Sequence, residues 1–199
     1  MADSLGAWSP LSLPEVAKLL AGVREPWWIA GGWAIDLFVG RPTRSHGDVD
    51  VQIRRGDQLA FQAALATWDL HAADPPGTLR PWRRGEVLPP AVQDVWCRPV
   101  PTAPWAVQLM LADTLGDQWV FRRDRRVRRT LTALTRRSVE GLPYVAPEVQ
   151  LLFKARATSQ PKDEHDFAIA HGLLSEDARA WLDAALALYS PDHPWRKRL

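Results

Sequence analysis

Residues 30–50 read AGGWAIDLFVGRPTRSHGDVD, and this stretch limits the possible folds more than any other. The segment PWWIAGG reads as a short buried strand ending in Gly31 and Gly32. Trp33, Leu37 and Phe38 then recur at helical spacing, and Gly40 is a natural stop. DVDVQI alternates polar and apolar residues as a half-buried strand does, which puts Asp48 and Asp50 two apart on that strand. Side chains at i and i+2 leave the same face, about 7 Å apart at the backbone. Two carboxylates held so repel unless a cation lies between them. An oxygen-only set of this kind suits Mg2+, which commonly joins carboxylates to substrate phosphates. Such ions polarise a phosphoryl group and help deprotonate an attacking hydroxyl. The glycines supply the complement: without a Cβ the backbone can approach a ligand closely, and the N–H groups of a helix start attract an anion such as a triphosphate. Either motif alone also fits a plain turn or a solvated strand end. In this order and setting they point together to a shared pocket for phosphate chemistry.

The composition permits this. The chain has 199 residues, 46% hydrophobic and 24% charged, enough to bury a core in one ordinary domain or two small ones. The net charge of +2 allows anionic ligands such as nucleotides without demanding a nucleic-acid partner. Cys97 is the only cysteine, so no internal disulfide can form, and a reducing cytoplasm fits. The opening residues MADSLGAWSPLSLPEVAKLL lack a basic start followed by an apolar stretch, so no signal peptide is expected. No segment approaches the run of about 20 apolar residues that spans a bilayer. The 11 tryptophans follow no fixed period and are expected mostly to fill the core or cover loops, a ring-lined ligand pocket being the lesser reading for any one of them.

Along the chain, PEVAKLLAGV forms a helix opened by Pro14, with Val16, Leu19, Leu20 and Val23 on one face. DQLAFQAALATW is a second amphipathic helix, with Leu59, Ala63 and Ala66 among its inward residues. Residues 74–90, with five prolines and two glycines, form a loop. AVQDVWC and WAVQLML are strands joined by the Pro-rich RPVPTAP, and QWVFR is a third strand of this group. From Leu142 the texture changes to helices over APEVQLLFKARA, PKDEHDFAIAHGLL and SEDARAWLDAALALY, the last favoured by Glu176 and Asp177 in its first turn. A boundary near Gly141 therefore separates residues 1–141, mixed in strands and helices, from a helical part at 142–199.

The stretch WWIAGGWAIDLFVGRPTRSHGDVDVQI resembles the core motif of nucleotidyltransferases of the DNA polymerase beta superfamily. It is most similar to the antibiotic-modifying branch, the aminoglycoside and lincosamide adenylyltransferases. Gly31, Gly32, Trp33, Asp36, Gly40, Arg41, Thr43, Arg44, His46, Asp48 and Asp50 match that branch's pattern, strongly over about residues 27–53. GLPYVAPEVQLLFKAR and PKDEHDF look similar to the helical part of related bacterial proteins, and the match between is loose. The resemblance implies an α+β fold, a nucleotidyltransferase-like mixed sheet with flanking helices followed by a small C-terminal helical domain. It implies transfer of a nucleoside monophosphate from an NTP, ATP above others, to a hydroxyl of a small acceptor such as an aminoglycoside-like antibiotic, with release of pyrophosphate. By the same resemblance Asp48 and Asp50 bind Mg2+ and Gly31 and Gly32 face the triphosphate.

The family also has a third carboxylate on a later strand. Here WAVQLML carries Gln108 at its centre, a residue that cannot usefully accept a proton and is a weak metal ligand. Asp94 on the preceding strand is the first substitute, and Asp113 at the end of the Gln108 strand is the second. Lys154 is placed to neutralise the triphosphate as a point charge, and Arg44 to steer phosphate, with Arg41 and His46 beside it. Lys162, Asp163 and Asp166 are assigned a structural role. The basic run RRDRRVRR, residues 122–129, reads as an exposed face rather than a nucleic-acid surface. Two other readings stand beside the enzyme. One is a toxin-like relative acting on tRNA or protein, with that run as its binding surface. The other is a non-catalytic nucleotide-binding protein, motivated by Gln108.

Overall fold

The structure, a computed structural model, describes residues 5–156 and 160–199. Met1 to Ser4 of the opening segment, and Ala157 at the end of the helix expected over APEVQLLFKARA, lie outside the described residues. The elements in chain order are α1 (Leu13–Leu19), β1 (Trp27–Ile29), α2 (Gly31–Val39), β2 (Asp50–Arg54), α3 (Gln58–Ala64), β3 (Asp69–Ala72), β4 (Arg80–Pro81), β5 (Asp94–Arg98), β6 (Val107–Ala112), β7 (Thr114–Leu115), β8 (Gln118–Val120), β9 (Arg128–Thr130), α4 (Leu131–Leu134), β10 (Thr135–Arg137), β11 (Pro143–Val145), α5 (Pro147–Lys154), α6 (Pro161–Ala170) and α7 (Glu176–Tyr189). Among the described residues no helix is long and apolar enough to cross a membrane. The chain is of the α+β class, and it divides into two compact units that alternate along the sequence. The first holds the residues up to Ile29 and Ser45–Thr114; the second holds Ala30–Arg44 and Leu115–Leu199. Gly141, where the sequence changes texture, lies inside the second.

The first unit is built on six strands in the order β1-β2-β6-β5-β3-β4. β2 and β6 run parallel, and the other neighbours are antiparallel, so the sheet is mixed. Strand alternation divides it cleanly. Val51 and Ile53 of β2, Leu109 and Leu111 of β6, Val95 and Cys97 of β5 and Ala72 of β3 stand in register on one face, all buried. Each buried Val, Leu or Ile is worth about 1.5–3 kcal/mol relative to exposure. Val16 of α1 and Leu20, just past its end, are buried as well. The opposite face is polar and mostly half-buried, and it carries the residues of interest below.

Helix α3 turns a different face inward from the one its pattern suggests. Leu59, Ala63 and Ala66 are exposed, whereas Gln58, Phe61, Gln62 and Leu65 are buried. Phe61 and Leu65, at i and i+4, carry most of the apolar area. The two glutamines are buried because each closes a hydrogen-bond pair with the Pro-rich loop or the turn before the helix. Gln58 donates to the Arg55 carbonyl and accepts from Leu88 N–H (2.9 and 2.7 Å). Gln62 donates to the Arg83 carbonyl and accepts from Gly85 N–H (2.9 and 2.7 Å). The loop of residues 74–90 is thereby pinned. Arg80 adds to this by pairing with both Asp74 and Glu86 (2.8 and 2.7 Å).

The second unit is organised around α5, which packs on α2, α6 and α7. Seven of its eight residues are buried, including three with polar heads: Glu148, Gln150 and Lys154. Buried polar groups of this kind persist only when paired. Glu148 takes Arg129 and, at 3.4 Å, Arg136. Gln150 accepts from Gly31 N–H (3.0 Å), and Lys154 meets Asp166 (2.7 Å) and Asp163 (3.5 Å). Five of the eleven tryptophans are buried and six half-buried; in this unit Trp119 packs against Phe121 and Phe153, and Trp195 stacks on Phe167 with 4.2 Å between centroids. QWVFR is not a third strand of the β5–β6 group. Its strand, β8, pairs antiparallel with β9 in a separate sheet.

Helix α2 ends on Gly40, which adopts φ +82° and accepts no side chain without strain. A Cβ there meets nothing within 4 Å, so the cost of Gly40→Ala is conformational alone. The expected loss is about 1–2 kcal/mol, read as an earlier midpoint in urea; an unchanged midpoint would show that the left-handed cap contributes nothing.

Candidate functional site

The acidic pair lies where the first unit's central parallel strands begin. β2 starts at Asp50, so Asp48 is on the segment leading into the strand rather than on it. The pairing nonetheless reaches back, because Val49 carbonyl accepts from Gln108 N–H (2.9 Å). Asp48 is exposed, Val49 buried, Asp50 half-buried and Val51 buried. That alternation is what places both carboxylates on the polar face.

Register settles what stands beside them. Asp50 lies opposite Gln108, and Gln108 opposite Trp96. One row along, Gln52 lies opposite Met110, and Met110 opposite Asp94. Side chains opposite one another leave the same face, so Asp50, Gln108 and Asp94 share it. Gln108 is the immediate neighbour of Asp50. Asp94 is two strands away, and the Gln108 amide reaches it, Nε2 donating to its carboxylate at 3.2 Å. Asp113, the second substitute for a third acid, is engaged elsewhere. Its carboxylate pairs with Arg55 at 2.6 Å, and the same guanidinium donates to the Pro89 and Val92 carbonyls. It is a structural aspartate just past the end of β6.

The donor chemistry fits Mg2+. Two carboxylates one residue apart offer oxygen ligands only, and the ion needs one or two of these when phosphates and waters complete its shell. Among the described residues no cluster of three or more His, Cys, Asp or Glu forms a protein-only cage. Cys97 is buried on the far face, and burial pushes its thiol well up from the ordinary range, so it is not a nucleophile.

The remaining candidates belong to the second unit. Gly31 and Gly32 do not end the strand before them; they are the first two residues of α2. Gly31 has φ +65°, which glycine alone adopts freely. Its N–H, expected to face phosphate, donates to Gln150. Asp36 is buried and accepts from the amide and hydroxyl of Thr43, which folds the loop after Gly40 back onto the helix. Arg44 forms a two-pronged pair with Asp166, Nε to Oδ1 at 2.9 Å and Nη2 to Oδ2 at 3.0 Å. Lys154 is 7% exposed and shares Asp166 with it. Two cations thus meet two carboxylates, Asp163 and Asp166, in a cluster with no net charge. Burial pushes the Asp166 carboxyl up, but hydrogen bonds from Arg44 and Lys154 outweigh it and hold the group below its ordinary value. Asp163 and Asp166 have the structural role expected of them; Lys154 shares it.

The run 122–129 is not uniformly exposed. Arg123 donates to the Phe153 carbonyl (2.9 Å), Val127 is buried, and Arg129 lies over the Trp181 ring (4.4 Å) while holding Glu148. Arg122, Arg125, Arg126 and Arg128 remain on the surface. The sequence reading missed the Arg44–Asp166 pair, since the partners are 122 residues apart and no local pattern joins them. A cavity of about 380 Å3 lies among Leu59, Ala63, Trp68 and Trp82. None of the candidate residues lines it, so the chemistry is not assigned to it.

A profile of the aminoglycoside-2''-adenylyltransferase family matches residues 12–169. The chain is similar to a 2''-aminoglycoside nucleotidyltransferase of Escherichia coli, 48% identical over 56 residues, 25% of this chain and 32% of that one. A protein of the same description from Klebsiella pneumoniae matches to the same extent. The aligned part thus spans about a third of the length of these curated relatives. Among solved structures it is similar to a lincomycin-bound lincosamide antibiotic adenylyltransferase, LnuA (TM-score 0.57, 12% identity, 83% of this chain and 100% of that one). It is also similar to ANT(2'')-Ia in complex with adenylyl-2''-tobramycin (TM-score 0.56, 17% identity, 89% and 98%). At such identities these structures establish a shared fold.

Proposed function

We propose that this chain, which belongs to the aminoglycoside-2''-adenylyltransferase family, transfers a nucleoside monophosphate from Mg·ATP to a hydroxyl of a small antibiotic-like acceptor. The observation that carries the reading is the register that puts Asp50 opposite Gln108, with Asp94 one row along on the same half-buried sheet face. Asp48 and Asp50 are assigned to hold Mg2+. The ion, bound with the triphosphate, supplies charge neutralisation at the phosphoryl group. Gly31, Gly32 and Arg44 are assigned to the nucleotide's phosphates. Lys154 acts on Arg44 through the Asp166 they share, holding that carboxylate in place.

Asp94 is assigned as the general base. A carboxylate held by the Gln108 amide keeps its orientation and its capacity to accept a proton. The acceptor oxygen forms its bond to the α-phosphorus, the bridging oxygen between α- and β-phosphorus leaves with pyrophosphate, and the hydroxyl proton passes to Asp94. Gln108 thus stands where the family resemblance calls for an acid, and it serves here as a positioning residue.

The test pairs calorimetric titration of Mg·ATP with a pyrophosphate-release assay over a panel of aminoglycosides and lincosamides. The expected result is pyrophosphate release with at least one acceptor, accompanied by a mass gain of one nucleoside monophosphate on that acceptor. Nucleotide binding without turnover on any acceptor would instead favour the non-catalytic reading that Gln108 suggests.

A further inference from the structure

Helix α3 turns two glutamines inward and leaves an apolar stripe uncovered. Leu59 and Ala63 of the helix, at i and i+4, and Ala66 just past its end are exposed. These are the residues that the helical pattern marks as inward, and they line the cavity of about 380 Å3 in the first unit. Leu65, Leu70 and Trp82, all buried, line it with them. The cavity is held open by the loop across from the helix. Gln62 ties that loop down at the Arg83 carbonyl and the Gly85 N–H (2.9 and 2.7 Å). The Trp82 indole N–H donates to the Glu86 carbonyl at 2.8 Å, and Arg80 clamps Asp74 and Glu86. The loop cannot settle onto Leu59 and Ala63 without breaking these bonds. A site preformed in this way loses little freedom when a ligand enters. Its volume is at the low end of the roughly 300–1,000 Å3 of small-molecule sites, which suits a compact molecule and not a helix or a nucleic-acid strand.

The polar groups around the cavity select the charge of what enters. The side-chain acceptors among the lining residues are taken. Gln62 Oε1 receives the Gly85 N–H, and Asp69 is held by Arg98 at 2.7 Å and by His71 at 3.0 Å. What is left over is donors. Arg84 is an exposed lining residue whose guanidinium makes no ion pair or hydrogen bond among the described residues, and the indole N–H of Trp68 makes no hydrogen bond among them either. Arg83, next to Arg84, is exposed as well, while Glu86, two residues on, is neutralised by Arg80. Unused donors with a free guanidinium call for an anionic acceptor, and a planar carboxylate matches the guanidinium fork.

We propose that this cavity is a second ligand site, separate from the candidate active site, and that it takes a small monocarboxylate with an apolar body. The carboxylate pairs with Arg84, and the hydrocarbon covers Leu59, Ala63 and Ala66. The site is independent of the transferase reading, since binding here needs neither nucleotide nor turnover.

Calorimetric titration of the full chain with phenylacetate tests this, with phenethyl alcohol and phenethylamine as neutral and cationic probes of matched shape. The proteins are the wild type, Arg84→Gln, which removes the charge, and Ala63→Phe, which fills the cavity from an exposed helix position. The expected result is a phenylacetate Kd below about 1 mM in the wild type. Arg84→Gln should weaken it roughly fivefold, the size of an exposed ion pair, and leave phenethyl alcohol unchanged. Phenethylamine should bind no better than the alcohol, and Ala63→Phe should bind none of the three. Absence of phenylacetate binding up to about 10 mM in the wild type would overturn the site. Undiminished binding in an Ala63→Phe protein that unfolds at the parental temperature would do the same. Equal affinity for phenylacetate and phenethyl alcohol in the wild type would overturn the choice of a carboxylate. A wild-type dimer in sedimentation that Ala63→Phe dissociates would give the cavity to a second copy of the chain and overturn the small-ligand assignment.

Discussion

Asp48→Asn and Asp50→Asn are each expected to lower nucleotidyl transfer by about a thousandfold or more, a barrier increase of roughly 4 kcal/mol, with the unfolding temperature unchanged. The size follows from what each carboxylate is assigned to do. Asparagine keeps the shape and one oxygen but loses the charge, and a pair of unlike ligands no longer neutralises a cation bound to a triphosphate. The fold is spared because neither residue is in the core: Asp48 is exposed and Asp50 half-buried, whereas Val49 and Val51 between and after them carry the packing. Pyrophosphate release and circular dichroism measured on the same samples separate the two effects. Full activity in Asp48→Asn would refute the metal role.

The second large effect is on stability. Asp166→Ala removes the carboxylate that Arg44 and Lys154 share. Breaking a buried ion pair by deleting one partner costs about 3–5 kcal/mol, because the other charge is left uncompensated. Two features favour the lower end: Lys154 keeps Asp163 at 3.5 Å, and Arg44 is 22% exposed and can turn to water. At roughly 2–4 °C per kcal/mol for a chain of this size, the unfolding midpoint should fall by about 6–20 °C. The pH dependence has a definite sign. The Asp166 carboxyl titrates lower in the folded chain than in the unfolded one. Its contribution is therefore complete above the unfolded value, near pH 4, and is lost as pH falls through the lower folded value. Urea unfolding between pH 3 and 7 should show wild-type stability falling below about pH 4, with a flatter profile in Asp166→Asn. Parallel profiles for the two proteins would show that the cluster does not contribute in this way.

Much of the fold is legible in the residues because its signals are local. Alternation marks β2, β5 and β6, and Gly40 marks the end of α2, since only a left-handed residue closes that helix so tightly. What is not legible is non-local. Gln58 and Gln62 look like the wet side of α3, but loop amides from Gly85 and Leu88 make them inward residues. β8 has the composition of any short strand, and its sheet is decided by β9, not by its own sequence. Lys154 looks like a phosphate ligand until Asp163 and Asp166 are seen to hold it. The run at 122–129 looks exposed until Glu148 and the Phe153 carbonyl are seen to receive two of its arginines. Within the candidate site, the carboxylate pair is readable from spacing, and the question Gln108 raises comes from the family resemblance alone. The use of that glutamine to hold Asp94 depends on strand register, which no local pattern gives.

Asp48 and Asp50 are the residues assigned to hold the cation of a nucleotide complex. The direct measurement is Mn2+ uptake, followed by electron paramagnetic resonance, in the presence of a non-hydrolysable ATP analogue. The wild type is compared with the Asp48→Asn/Asp50→Asn double variant. The expected result is a protein-bound Mn2+–nucleotide signal in the wild type and an affinity at least about tenfold weaker in the variant. Equal affinity in the two proteins would contradict the account.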